Sequence, residues 1–150
     1  MVHSETITHN LVALASTTIN APVSRVWEAV TRPELIKKYF FDTDTITDWT
    51  PGGPITWKGE WKGKAYTDKG TVLDFEPEYL LRFTYLSGMS GKADIPENYA
   101  TVTYQLSGDH KQTAITIEQD NIDTEESAEK MNDSWAKVLK SLKYMLEKEK

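Results

Sequence analysis

The sequence contains no cysteine, and its 17 Lys and Arg are outnumbered by 23 Asp and Glu. The lack of cysteine excludes disulfides, thiolate catalysis and zinc sites built on cysteine. Because nucleic-acid binding depends on Lys and Arg that neutralise phosphates, the formal charge of −6 predicts no nucleic-acid partner. No apolar run approaches the roughly 20 residues of a membrane span. These absences favour a cytoplasmic protein without a membrane span.

Groups that carry metal or nucleophile chemistry are also few. The three histidines, His3, His9 and His110, are far apart in the sequence, so we predict no metal site. The sequence has no Gly-x-Ser-x-Gly elbow and no phosphate loop that ends in Lys-Ser or Lys-Thr. We therefore predict no cofactor and assign no catalytic residue, which favours binding over catalysis without deciding between them.

Aromatic residues, in contrast, are abundant, with 5 Trp, 7 Tyr and 4 Phe in 150 residues. That length is typical of one domain, and such a domain can bury a sizeable core. Residues 1–10 are polar and lack the apolar segment of a signal peptide. We predict a flexible tail over residues 1–10 and a single domain over residues 11–150.

The order of local patterns predicts an α+β fold with an antiparallel sheet. The β-branched run Leu11–Ile19 predicts a strand, and Asn20, a capping residue, predicts the start of a short helix over residues 22–30. Pro33 opens a second short helix. Strand patterns follow over residues 43–49, 55–57, 65–75, 79–86, 99–106 and 111–119, with a loop over 87–98. Apolar residues at steps of three and four then predict a long helix over residues 124–150.

Alternation along these strands predicts the side chains that face the long helix. The predicted inward residues are Ile55, Trp57, Leu73, Phe75, Leu81, Phe83, Tyr85, Val102, Tyr104, Leu106, Ile115, Ile117 and Gln119. The helix presents an apolar stripe that includes Met131, Trp135 and Leu142. Several of these residues are aromatic with polar tips, as in pockets that contain polar groups.

Six segments, in order along nearly the whole chain, carry a family resemblance. They are APVSRVWEAVTRPEL (21–35), WTPGGP (49–54), GTVLDFEP (70–77), LRFTY (81–85), TAITI (113–117) and WAKVLKSL (135–142). Together they resemble the activator-of-Hsp90-ATPase-homologue family of the START-like, helix-grip (SRPBCC) superfamily. Many members have a Trp after the second short helix, where this chain reads Lys38-Tyr39-Phe40-Phe41. That departure alters a possible cavity mouth and leaves the fold unaffected.

The resemblance implies a helix-grip (START-like) fold, in which a curved antiparallel sheet wraps around the long C-terminal helix, often with an apolar cavity between them. It does not imply one activity, because the superfamily includes lipid and hormone carriers, polyketide cyclases and co-chaperone modules. Function must therefore be argued from the site.

The inward aromatic residues fit either a filled core or a ligand cavity, and the sequence leaves both open. The candidate ligand-binding residues share aromatic or inward-facing character: Trp27, Tyr39, Phe40, Trp57, Phe75, Phe83, Tyr85, Tyr104, Ile117, Gln119, Met131 and Trp135.

Three functions are compatible with this reading. The first is binding of an apolar or amphipathic, lipid-like small molecule in a cavity between sheet and helix. The second is a cyclase- or hydrolase-like enzyme that uses inward polar groups such as Tyr85, Tyr104 and Gln119. The third is a protein-interaction module, a co-chaperone or stress-response protein related to Hsp90 ATPase activation. The chain offers no separate partner-docking domain, so this function ranks last.

Overall fold

The computed structural model describes residues 11–149, and the predicted tail over residues 1–10 lies outside them. Three α-helices and seven strands make up this part of the chain. In chain order they are β1 Leu11–Ile19, α1 Val23–Thr31, α2 Pro33–Tyr39, β2 Asp44–Thr47, β3 Pro54–Trp61, β4 Lys64–Glu76, β5 Leu80–Tyr85, β6 Ala100–Gly108, β7 Thr113–Ile122 and α3 Glu125–Glu147. A single 3-10 turn, Pro96–Asn98, interrupts the predicted loop between β5 and β6.

The strands form one curved antiparallel sheet in the order β1-β7-β6-β5-β4-β3-β2. Two short helices follow the first strand and the long helix α3 closes the chain. The predicted α+β, helix-grip fold is therefore confirmed. The strand patterns predicted most of these elements to within a few residues, and β1 has the predicted bounds.

Helix α3 is amphipathic, and it covers one edge of the sheet. The side chain of Thr124 caps its start by accepting a hydrogen bond from the Ser127 amide. Three side chains of α3 bond the free backbone edge of β1 and the residue after it. They are Asn132, which accepts from the Leu14 amide, Lys143, which donates to the Thr18 carbonyl, and Glu147, which accepts from the Asn20 amide. These bonds protect an edge strand that would otherwise be open to pairing.

The core lies between α3, α1 and one face of the sheet, and it contains most of the predicted inward residues of β5, β6 and β7. Tyr85 is partly buried against it, and Gln119 is a buried polar residue. The prediction for Leu73 is wrong, since its side chain is 40% exposed while Val72 is fully buried. The pairing of β4 with β5 shifts register between Val72 and Asp74, so Leu73 is the extra residue of a bulge and leaves the alternation.

Asn20 does not cap α1. Pro22 occupies the cap position without a side-chain hydrogen bond, and the Asn20 side chain instead accepts a bond from Gln112. Among residues 11–149, no helix is long and apolar enough to cross a membrane. The same residues contain no group of three or more acidic or histidine side chains arranged to hold a metal ion.

Candidate functional site

A cavity of about 360 Å³ lies where the first half of α3 crosses the inner face of the sheet. Strands β3 to β7 supply its floor, and α2, the segment after it and α3 supply its cover. The apolar lining residues are Val30, Ile36, Tyr39, Phe40, Phe41, Trp49, Ile55, Trp57, Trp61, Leu81, Phe83, Tyr85, Met89, Val102, Tyr104, Met131, Trp135 and Val138. The cavity is thus walled mainly by side chains that favour apolar ligands.

Aromatic rings form a connected series around the cavity. The ring centroids of Trp57 and Phe83 are 5.2 Å apart, and those of Phe83 and Tyr104 are 5.9 Å apart. Tyr104 meets Trp135 edge to face at 6.0 Å, and Trp135 meets Phe40 at 5.9 Å. These tilted and T-shaped arrangements are the favoured geometries of aromatic pairs. They hold rings from the sheet, α3 and the end of α2 in defined positions around an unfilled space.

Two polar pairs fix part of this wall. The indole N–H of Trp135 donates to Gln119 Oε1 at 3.0 Å, which ties α3 to β7. The hydroxyls of Thr43 and Tyr66 form a hydrogen bond of 2.7 Å beneath the segment that follows α2. Both bonds satisfy polar atoms in an apolar environment, where an unpaired group is costly.

Other polar atoms of the lining have no such partner. The Thr45 hydroxyl is buried without a hydrogen bond among residues 11–149. The Tyr104 hydroxyl and the Gln119 amide nitrogen also have no hydrogen-bond partner in this described part of the chain. The cavity therefore offers both apolar walls and polar atoms that are still available for bonding.

A carboxylate also lines the cavity. Asp68 of β4 is 7% exposed, and it accepts hydrogen bonds from the Tyr85 hydroxyl and the Gly88 amide, both at 2.8 Å. Gly88 allows this bond because a Cβ there would collide with the carbonyl oxygen of Thr67. The loop after β5 can thus lie close enough to β4 for its backbone to reach Asp68.

Burial raises the pKa of the tyrosines in this region. For Tyr104 desolvation is the cause, and for Tyr85 desolvation is reinforced by the nearby charge of Asp68. Because a raised pKa keeps the phenol protonated, both tyrosines are neutral hydrogen-bond donors at physiological pH. Neither is suited to act as a base.

The cavity opens to solvent between three large apolar side chains. Phe41, Trp61 and Met89 line it and are 59%, 52% and 51% exposed. Phe41 and the next residue, Asp42, both have left-handed backbone conformations, with φ of 54° and 58°. This turn directs Phe40 onto Trp135 and leaves Phe41 at the opening, in the segment where the chain departs from the Trp of the resembling family.

Of the twelve candidate residues predicted from the sequence, nine line the cavity. They are Tyr39, Phe40, Trp57, Phe83, Tyr85, Tyr104, Gln119, Met131 and Trp135. The other three lie elsewhere. Ile117 is fully buried in the core. Trp27 packs on Phe75, and Phe75 stacks at 5.6 Å on Trp49, which lines the cavity.

Sequence reasoning missed the polar lining residues other than Gln119, namely Ser87, Ser134, Thr43, Thr45, Tyr66 and Asp68. The signal for the last two was present, because Tyr66 and Asp68 alternate along β4 and Asp68 pairs directly with Trp57 of β3. An inward Trp57 therefore implies an inward Asp68, since directly opposed residues of a pair share a face.

The family described as activator of Hsp90 ATPase homolog 1-like protein matches residues 20–147. The chain belongs to this family. The match spans α1, every strand after β1 and the whole of α3, so it includes all the elements that build the cavity.

Solved structures agree with this assignment. The solution structure of ChR145 from Cytophaga hutchinsonii is 46% identical, with a TM-score of 0.81, over 92% of this chain and 94% of that one. The Aha1 dimer of Colwellia psychrerythraea is 21% identical, with a TM-score of 0.69, over 91% and 96%. DynU16, from the dynemicin biosynthetic locus, is 22% identical, with a TM-score of 0.73, over 91% and 47%. The last two show similarity of fold alone, and no curated protein matches the chain.

Proposed function

We propose that this member of the Hsp90-ATPase-activator-like family binds an amphipathic small molecule in the cavity between the sheet and α3. The observation that carries the proposal is an apolar cavity of about 360 Å³ with unpartnered polar atoms in its wall. Ligand pockets typically measure about 300–1,000 Å³ and combine apolar walls with a few polar groups. The proposed ligand contacts are Tyr39, Phe40, Trp57, Phe83, Tyr85, Tyr104, Gln119, Met131 and Trp135.

The opening supports the same proposal. Phe41, Trp61 and Met89 expose apolar surface at the cavity mouth, and exposed apolar patches commonly mark binding sites. We expect a ligand to pass between these three side chains and to cover part of their surface once bound.

Tryptophan fluorescence offers a direct test, because four of the five tryptophans, Trp49, Trp57, Trp61 and Trp135, line the cavity. Titration with a panel of fatty acids, sterols, flavonoids and apolar amines is expected to change the emission for at least one compound. Ser134 lies on α3 at an exposed position of the lining, so Ser134→Trp narrows the opening without disturbing the core. We expect this variant to bind at least about tenfold more weakly.

Ala136→Trp is the matched control, since Ala136 is exposed on the same helix and does not line the cavity. It adds the same side chain and should bind with unchanged affinity, as judged by calorimetry. Equal affinities of the two variants would contradict binding in the cavity, and the absence of any thermal or fluorescence response across the panel would contradict ligand binding altogether.

A second candidate function, catalysis on a bound ligand, is favoured by the Asp68–Tyr85 pair. A buried carboxylate with an adjacent phenol could move a proton at a ligand atom held in the cavity, as in a cyclase- or hydrolase-like enzyme. Incubation of each ligand with the protein, followed by mass spectrometry, tests this function. Turnover that disappears in Asp68→Asn while binding persists would support it, and unchanged ligands would exclude it for that panel.

A third candidate, interaction with an Hsp90-type chaperone, is favoured by the family assignment. It predicts co-purification with the chaperone and a change in its ATPase rate, and absence of both would dispose of it. We also propose a cytoplasmic location, because the chain has no cysteine for the disulfides common in small secreted domains. Cell fractionation tests that location.

A further inference from the structure

One lining residue, Asp68, indicates which chemical class of ligand the cavity binds. Its side chain is more than nine-tenths buried, yet it lines the cavity. It lies on β4 directly opposite Trp57 of β3, so the two side chains share the inner face of the sheet. Strand pairing therefore fixes the carboxylate in the cavity lining.

The charge of this carboxylate has no counter-ion within residues 11–149. Its two oxygens accept hydrogen bonds from the Tyr85 hydroxyl and the Gly88 amide, which are both neutral donors. No Lys, Arg or His among residues 11–149 forms an ion pair with Asp68, and the adjacent Lys69 is paired with Asp94. A buried carboxylate without a cation is less favourable than one that is paired with a cation. A cation that binds next to Asp68 would therefore be stabilised by the carboxylate charge.

The surroundings of Asp68 favour an organic cation over a metal ion. Trp57 and Tyr85 are 5.3 Å apart between ring centroids, and Tyr66 lies two residues before Asp68 on the same face of β4. Aromatic faces attract ammonium and similar cations, most strongly when water is excluded. Protein metal sites usually combine several carboxylate or histidine ligands, and residues 11–149 contain no group of three or more such side chains that could hold a metal ion.

We propose that the ligand is an amine on an apolar skeleton, whose ammonium group pairs with Asp68 between Trp57, Tyr66 and Tyr85. This inference rests on the proposed cavity function. The apolar skeleton extends from there across β5 and β6 toward Phe83, Tyr104 and Trp135. The net charge of −6 raises the local concentration of such cations around the protein.

The test uses three probes with one skeleton: 2-(1-naphthyl)ethylamine, 2-(1-naphthyl)ethanol and 1-naphthylacetate. They differ mainly in charge, so the apolar contribution is nearly constant. Calorimetry with the native chain is expected to show the amine binding at least about tenfold tighter than the alcohol, with the carboxylate weakest. Since this comparison needs no variant, it stands even if a substitution disturbs folding.

Asp68→Asn locates the effect. It removes the charge and keeps an oxygen acceptor for Tyr85, so we expect it to abolish the preference for the amine while the alcohol still binds. Asp133→Asn is the control, because it changes the net charge equally at an exposed residue of α3 that does not line the cavity. It should keep the preference.

The outcomes separate the two proposals. Binding of the alcohol without preference for the amine would overturn the amine inference alone. A preference that survives in Asp68→Asn would also overturn it, since the cation would then bind elsewhere. Failure of the three probes while a compound of the earlier panel binds would overturn the inference alone. Failure of the probes and of that whole panel would overturn the cavity function as well.

Discussion

The two ends of the core differ in residue type and in how completely they are filled. One end, which we call the aliphatic end, consists of Ile19, Leu106, Ile115, Leu139 and Leu142. Each of these residues is no more than 1% exposed, and none of them lines the cavity. The aromatic end contains Trp57, Phe83, Tyr85, Tyr104 and Trp135, which surround the cavity. Both ends lie between the same helix and the same sheet, so the difference arises from side chains.

The choice of side chains can thus make one end of a core close-packed and leave a cavity at the other end. Branched aliphatic side chains interdigitate at high density. Aromatic rings held at tilted or edge-to-face angles are rigid and cannot collapse into a small irregular space. Polar tips such as the Tyr104 hydroxyl also oppose complete closure, because they need a partner. The aromatic end is therefore suited to hold a ligand, and the aliphatic end to hold the fold.

The largest expected effect is a loss of stability at the aliphatic end. Leu142→Ala should lower the free energy of unfolding by about 2–5 kcal/mol, because it leaves a void among close-packed neighbours. Met131→Ala at the aromatic end should cost less than half as much, since Met131 is half-buried and already borders the cavity. Urea unfolding followed by circular dichroism measures both. Equal losses would mean that the two ends are packed alike.

The intermediate effect concerns the bond that joins α3 to the sheet at the aromatic end. Gln119→Leu removes the acceptor of the Trp135 N–H and should lower the free energy of unfolding by about 1–3 kcal/mol. Gln105→Leu, on the exposed face of β6, is the control and should change stability by no more than about 0.5 kcal/mol. If Gln119→Leu changed the free energy of unfolding as little as its control does, the hydrogen bond between Trp135 and Gln119 would not contribute to stability.

Much of this contrast could be predicted from the sequence. The apolar steps of α3 and the alternation of Leu81, Phe83 and Tyr85 predict both ends of the core, because burial imposes periods of 3.6 and 2 on the sequence. Leu73 could not be placed, since a bulge shifts the alternation by one residue without altering composition.

The cavity itself could not be predicted from the sequence. Whether rings fill a space depends on distances between strands and helix that no local pattern encodes. Asp68 was missed for a different reason: a carboxylate next to Lys69 in a polar stretch predicts exposure, although its alternation with Tyr66 on β4 indicates the same face. Only its pairing with Trp57 and its bonds to Tyr85 and Gly88 turn it inward.

The smallest expected effect is the pH dependence that Tyr104 contributes at the aromatic end. Burial raises the pKa of Tyr104 above the ordinary value of 10.0, so the folded state keeps a proton that the unfolded state releases in alkali. The contribution of Tyr104 to the free energy of unfolding is fully present below pH 10. Above pH 10 it falls by up to about 1.4 kcal/mol per pH unit. Tyr104→Phe should remove the part of the decrease in unfolding free energy above pH 10 that is due to this residue.

At neutral pH, Tyr104→Phe should be nearly silent in urea unfolding, because the hydroxyl has no hydrogen-bond partner among residues 11–149. Tyr144→Phe, at a residue that is 66% exposed, is the control and should leave the alkaline loss as in the native chain. If the two variants shared one pH profile between pH 9 and 11, Tyr104 would not be shielded from water. The aromatic end would then be wet and open, a poor host for the apolar skeleton of any ligand.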